Sequence, residues 1–248
     1  MSQESYRPLE RSVAAFNADT SELGGYVYTT TDRWSSQHAR GRQTDELVRM
    51  LAENFPRSIR LADLGFGDGT HSLEVFRRFG PAGLRGVELA SNAVTAAQQR
   101  IPPEATDAVT FEVGNIYDVE SQGEEVAVIF GVLHHLDRPE DAINHLATQF
   151  NSILVLEPNG FNPAMKVIEK VSAYHREHDE KSYWPPALNR WFRNAGMSVV
   201  AQHYFCLVPY FFPTSAAKLL AKLEPAAESR PLIRQVMCGT NLILYRKP

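Results

Sequence analysis

The chain has 248 residues, 44% of them hydrophobic and 22% charged, with a formal net charge of −4. That length and balance suit one α/β domain with decorations, and the negative charge gives no general attraction for nucleic acid or an anionic membrane. Cys206 and Cys238 make neither a metal spacing nor a disulfide framework, residues 1–10 lack the apolar core of a signal peptide, and no apolar run reaches the ~20 residues of a spanning helix, so a cytoplasmic protein is expected.

Taken in order, the first stretch reads as a covering segment. Tyr6, Pro8, Leu9, Val13 and Phe16 suit a short helix, and Gly24-Gly25 suits a hinge. A polar run at 35–42 carries His38, Arg40 and Arg42. A helix is then expected from Gln43 or Thr44, with Leu47, Val48, Met50 and Leu51 at helical spacing and Pro56 as its stop. Because this segment precedes the first strand, residues 1–45 are free to lie over a ligand as a lid.

The next hundred residues alternate strand and helix, the pattern of a parallel sheet. Strands are expected at 60–64, 84–88, 109–113, 126–130 and 152–156. Helices are expected at 70–79, from Ser91 as N-cap to about residue 100, and from Pro139 or Glu140 to Phe150. The alternation then breaks. A helix at 163–174, a charged run at 175–183 and a helix from Pro185 to a C-cap near Gly196 come first. A strand at 197–204, an aromatic run at 205–212, a helix at 215–223 stopped by Pro225 and a last strand at 241–246 follow. Two strands separated by a helical excursion suit an antiparallel hairpin at one sheet edge.

The stretch from Leu61 to Thr70, LADLGFGDGT, is a buried strand that breaks into a glycine turn and opens a helix. Gly65, Gly67 and Gly69 supply backbone that tolerates positive φ and lies close to a ligand. Doubly wound α/β folds bind nucleotides at such a turn. A dinucleotide fingerprint needs two residues before its third glycine, whereas here there is one. Asp63 just upstream would also repel a pyrophosphate.

Asp63-Leu64-Gly65-Phe66-Gly67-Asp68-Gly69, Glu88 ending the second strand, and Gly131-Val132-Leu133-His134-His135-Leu136 after the fourth together resemble the class I methyltransferases that use S-adenosyl-L-methionine (SAM), of the small-molecule kind. Glu157-Pro158-Asn159 and Ala195-Gly196-Met197 fall at further landmarks of that family, and the resemblance covers roughly residues 43–200 and the final strand. It implies an α/β, doubly wound, Rossmann-like sheet of seven mostly parallel strands with an antiparallel last strand. A lid at 1–45 would precede a SAM-binding domain at 46–248, with cap insertions at about 160–185 and 205–238.

The resemblance also implies site roles. Asp63, Gly65, Phe66, Gly67 and Gly69 would hold the methionine part of SAM. Glu88 would accept from both ribose hydroxyls, having two acceptor oxygens for a vicinal diol. Leu89, Asn115, Ile116 and Gly131 would surround the adenine and the methyl centre; Asn115 departs from the family's usual aspartate. His134 or His135 is a candidate base near the expected methyl group, or else only shapes the pocket, and His38 on the lid is an independent candidate. Glu157 and Asn159 either orient substrate or satisfy the Pro158 turn. No metal is expected: His175, His178, Asp179 and Glu180 read as a solvated charged face. The aromatic run 204–212 reads as a substrate wall, a homodimer contact or ordinary core.

The expected activity is methyl transfer from SAM to a small metabolite, leaving S-adenosyl-L-homocysteine, with an oxygen acceptor first and carbon or nitrogen as rivals. A protein that binds SAM without transferring methyl, cyclase-like or regulatory, is the competing class. Neither nucleic acid nor membrane is an expected partner.

Overall fold

The computed structural model describes Asn17, Thr20, residues 27–171 and residues 181–248. The expected N-terminal helix, the Gly24-Gly25 hinge and the group His175, His178, Asp179 and Glu180 lie outside the described residues.

Seven strands form one sheet: β1 (Arg60–Leu64), β2 (Gly83–Glu88), β3 (Val109–Val113), β4 (Val126–Phe130), β5 (Ser152–Pro158), β6 (Ser198–Phe205) and β7 (Thr240–Arg246), in the order β3-β2-β1-β4-β5-β7-β6. The pairs from β3 to β5 are parallel, and β7 runs antiparallel to both β5 and β6. The hairpin is thus present, with β7 inside the sheet and β6 on its edge.

The strand sequences explain the layers. In β1 and β4, Leu61, Val126 and Val128 join the core on one face while Ala62, Leu64, Ala127 and Ile129 join the core on the other. Side chains alternate with period two, so a strand covered on both faces must be apolar throughout. Helices α2 (Trp34–Asn54) and α3 (Thr70–Phe79) cover the first face through Leu47, Leu51, Val75 and Phe79. Helices α5 (Pro139–Gln149) and α7 (Pro185–Asn194) cover the second through Ile143, Leu146, Leu188 and Phe192. The remaining helices are α1 (Val27–Thr30), α4 (Ser91–Gln99), α6 (Pro163–Val171), α8 (Thr214–Glu228) and α9 (Pro231–Met237).

Three expectations are corrected. Helix α2 starts at Trp34, nine residues before Gln43, and passes through the 45/46 boundary drawn between lid and domain. Its polar first half is stabilised by partners from the far end of the chain: Arg42 Nη2 lies 2.6 Å from Glu228 Oε2, and Ser35 Oγ donates to the Tyr210 carbonyl at 2.7 Å. Ser91 is the first residue of α4 and Ala90 holds the cap position. Pro225 does not stop α8, which continues to Glu228. Pro225 is exposed, so the Ala221 carbonyl it cannot bond is able to meet water. Helix α9, opened by Pro231 in its first turn, had no counterpart in the sequence reading.

Candidate active site

The strand order reverses between β1 and β4, and that switch point is where an open α/β sheet leaves a crevice at its carboxyl edge. The turn after β1 fills it. Gly65 has φ +78, and a Cβ there would lie 2.5 Å from Val132 Cγ2 in the loop after β4. Only glycine allows the two loops to approach so closely.

Asp63 is buried at the end of β1. Ser72 Oγ donates to its Oδ2 at 2.6 Å, while Oδ1 is buried with no hydrogen-bond partner among the described residues. Burial pushes its pKa up to about 6 against the Ser72 bond, and the charge of Glu88 adds to the rise. Glu88 is tied to the same turn: its Oε2 accepts from Gly67 N at 3.1 Å and its Oε1 from Ala90 N at 2.9 Å. Burial raises the Glu88 pKa against these bonds. Two carboxylates therefore face one crevice, and neither makes a salt bridge among the described residues. A buried charge without a partner is costly. The chemistry of this pair suits a ligand that brings a cationic amino group and hydroxyl donors, as SAM does.

One cavity of about 350 Å³ runs along this edge. Asp63, Gly65, Phe66, Gly67, Glu88, Leu89, Asn115, Ile116 and Gly131 line it. Of the residues expected around the cofactor, Gly69 alone is absent from the lining. It has φ +77 at the head of α3, and a Cβ there would lie 2.7 Å from the Cβ of Ala97 on α4, so its smallness serves helix packing. Asn115 Oδ1 accepts from Tyr117 N at 3.1 Å, which fixes its side chain at the end of β3.

The histidines separate. His134 and His135 both line the cavity, with ring centroids 4.0 Å apart, whereas His38 is not part of the lining. His38 stacks on Trp34, and its Nε2 lies 2.7 Å from Glu224 Oε2. Glu157, 1% exposed, accepts from Val132 N and Leu133 N through Oε1 and lies 2.7 Å from His134 Nδ1 through Oε2. Those two backbone bonds lock the carboxylate, so Glu157 acts as an orienter of His134. Asn159, outside the lining, donates through Nδ2 to the Gln235 and Cys238 carbonyls and pins α9 to the end of β5.

The far half of the cavity is mostly apolar: Ala39, Phe130, Leu156, Met165 and the run from Cys206 to Phe211. The aromatic run thus contributes Tyr210 and Phe211 to a wall, while Phe205 is core. The sequence reading missed three polar residues of the lining. Arg40 is the single guanidinium or ammonium among the described lining residues; its Nη1 donates to the Thr29 carbonyl at 2.9 Å. Gln43 lines the cavity one helical turn on. His71 rests its ring on Phe130 at 4.2 Å, with Nδ1 3.1 Å from Thr44 Oγ1. Burial, helped by the Arg40 charge, brings the His71 pKa down to about 4, so it is neutral near pH 7. His71 sits in the first turn of the helix that the glycine turn opens, and that placement was a readable signal.

A doubly wound sheet with a glycine turn at its switch point and a carboxylate closing β2 defines a domain that binds a nucleoside cofactor. A family model described as a methyltransferase domain matches residues 36–202. The chain belongs to that family, the class I SAM-dependent methyltransferases. No protein of curated function matches it in sequence. Among solved structures it resembles magnesium protoporphyrin IX methyltransferase (ChlM) from Synechocystis PCC 6803 with bound S-adenosyl-homocysteine, at 13% identity and a TM-score of 0.65 over 88% of this chain and 89% of that one. It also resembles geranyl diphosphate C-methyltransferase from Streptomyces coelicolor A3(2), at 14% identity and a TM-score of 0.65 over 98% of each chain. A third is the 4+2 cyclase SpnF, at 18% identity and a TM-score of 0.63 over 97% of this chain and 94% of that one. At these identities the likeness is one of fold. No helix among the described residues is long and apolar enough to cross a membrane.

Proposed function

We propose that the chain methylates an oxygen atom of a small, largely apolar metabolite. SAM supplies the methyl group on a sulfonium centre. In this reading Asp63 receives its ammonium through the unpartnered Oδ1, Glu88 accepts from the ribose hydroxyls, and Leu89, Asn115 and Ile116 enclose the adenine. Arg40 is the matching cation for the carboxylate. The acceptor occupies the half of the cavity walled by Leu156, Met165, Tyr210 and Phe211, because pockets for small molecules are mainly apolar with a few placed polar groups.

The observation that carries the oxygen assignment is the Glu157–His134 pair at the cavity, 2.7 Å apart. A carboxylate fixed by two backbone N–H groups sets the ring's orientation and stabilises the imidazolium formed when His134 takes a proton from a hydroxyl. Alignment of the acceptor against the methyl centre and exclusion of water supply the rest of the acceleration. Localisation in the cytoplasm remains part of the same proposal.

The test uses SAM with a labelled methyl group, a panel of phenols, enols, carboxylic acids and amines, and a metabolite extract. O-methylated product from the wild type is expected. His134→Ala should lower turnover by about 10²–10⁴-fold with SAM affinity kept. Label on carbon or nitrogen would reassign the acceptor atom, and SAM binding with no transfer to any acceptor would favour the cyclase-like or regulatory class.

A further inference from the structure

Helix α9 buries none of its residues, yet it carries Leu232, Ile233, Val236 and Met237 on its surface, with Leu232 78% exposed. Leu219 and Leu223, one turn apart on α8, are 62% and 51% exposed. Six of the eleven large exposed hydrophobic side chains among the described residues therefore fall within these two adjoining helices. Such a concentration marks an interaction surface.

The charges identify what it meets. Lys218, Lys222 and Arg234 lie on the two helices and Arg230 in the turn between them; none makes a salt bridge among the described residues, and Lys218 lies over the Trp34 ring. The two acids of α8 turn inward: Glu224 is buried against the Leu207 and Val208 N–H groups, and Glu228 pairs with Arg42. The outward charge of this segment is thus wholly basic, on a chain of net charge −4. Exposed Trp184 packs edge-on against Phe161, and the adjacent Asn162 donates to the Met237 carbonyl.

We infer that the outer face of α8 and α9 docks on an anionic lipid bilayer. Leucines and a tryptophan with lysine and arginine beside them are the composition that lies in a bilayer interface, where apolar burial and attraction to anionic headgroups add. A twofold contact between copies would set the basic residues against themselves, which disfavours a second copy as the occupant. The surface is coupled to the cavity. Asn159 and Asn162 fasten α9 to the end of β5, and the run from Cys206 to Phe211 leads from the cavity wall into α8. Docking would bring the acceptor half of the cavity to the membrane surface, where an apolar acceptor partitions.

The experiment is flotation of the full chain with vesicles of phosphatidylcholine alone and of phosphatidylcholine mixed with phosphatidylglycerol. Binding to the mixed vesicles, weakened by salt and absent on phosphatidylcholine alone, is expected. The double variant Leu232→Glu, Val236→Glu and the double variant Lys218→Glu, Lys222→Glu should each lower it by about tenfold or more. Both should keep the wild-type melting temperature and affinity for S-adenosyl-homocysteine, because none of these residues lines the cavity. A folded wild type that ignores the mixed vesicles overturns the inference. So does self-association in sedimentation that Leu232→Glu abolishes without lipid, or capture of an acidic protein by the patch with vesicles left unbound.

Discussion

Asp63 and Glu88 close neighbouring parallel strands and share one crevice, and the charge of Glu88 adds to burial in holding the Asp63 carboxyl at about 6. The arrangement disfavours two ionised groups until a cation arrives. In the proposed binding mode, binding of SAM and ionisation of Asp63 are therefore linked.

The sign follows from the direction of the shift. An ordinary aspartate has a pKa of 3.8, and here the folded chain holds its proton up to about 6. Between those values the free folded chain binds more protons than the unfolded chain, so this group's contribution to stability is full below the first value and lost as pH rises through the second. A ligand ammonium favours the charged carboxylate, so binding below pH about 6 must expel a proton and weakens by up to about tenfold per pH unit. Calorimetry in two buffers of different ionisation enthalpy should detect that proton near pH 5 and little of it near pH 7 (about one unit either side of the midpoint). Asp63→Asn should flatten the dependence. A wild-type affinity that does not change with pH would separate Asp63 from the ligand.

The turn contains two glycines with nearly the same backbone and different surroundings. Gly65→Ala adds a methyl 2.5 Å from Val132 Cγ2 inside the cavity lining, and Gly69→Ala adds one 2.7 Å from Ala97 Cβ behind it. Each places a side chain at positive φ, which costs about 1–2 kcal/mol before any clash. Both variants should melt at lower temperature. Only Gly65→Ala should also lose affinity for S-adenosyl-homocysteine by about tenfold or more, beyond what its lost stability explains. Equal losses of affinity would mean that the turn responds as one unit.

Much of this was legible in the chain, for a physical reason. Strands β1, β4 and β5 are buried along nearly their whole length, so their apolar runs survive as local signals. The observed β1, β3 and β4 coincide with the stretches read from the sequence. The first half of α2 was not legible, because Ser35, His38 and Arg42 gain helical stability from partners some 170 or more residues away. The continuation of α8 past Pro225 was hidden likewise by tertiary anchoring through Glu224 and Glu228. At the site, the glycine turn stood out by its spacing and Glu88 by its place in the family resemblance. Arg40 did not, since nothing local distinguishes a cavity-facing side chain from a solvated one, and His71 was signalled only by its place in the first turn of α3. The proposed preference for His134 over His135 rests on Glu157, a residue of β5 that contacts the loop after β4.

Glu224 supplies the last test, and it also decides what His38 does. Its Oε1 accepts from Leu207 N at 2.8 Å and Val208 N at 3.1 Å, and its Oε2 meets His38 Nε2 at 2.7 Å. Ser35 Oγ reaches the Tyr210 and Phe212 carbonyls at 2.7 and 2.8 Å. The backbone from Leu207 to Phe212, which the proposed function makes the acceptor wall, is therefore clamped between α2 and α8. Glu224→Ala leaves two N–H groups unpaired, one of them on buried Val208, at a cost of about 1–3 kcal/mol for each buried group. It should raise KM for the acceptor by about tenfold while affinity for SAM stays within a factor of about three. Glu224→Gln keeps an oxygen for both N–H groups and should recover most of the loss. His38→Ala removes only the outer contact of the clamp, so its kcat should stay near wild type while His134→Ala is strongly impaired. A collapse of kcat in His38→Ala with the acceptor KM unchanged would return His38 to the chemistry and remove it from the clamp.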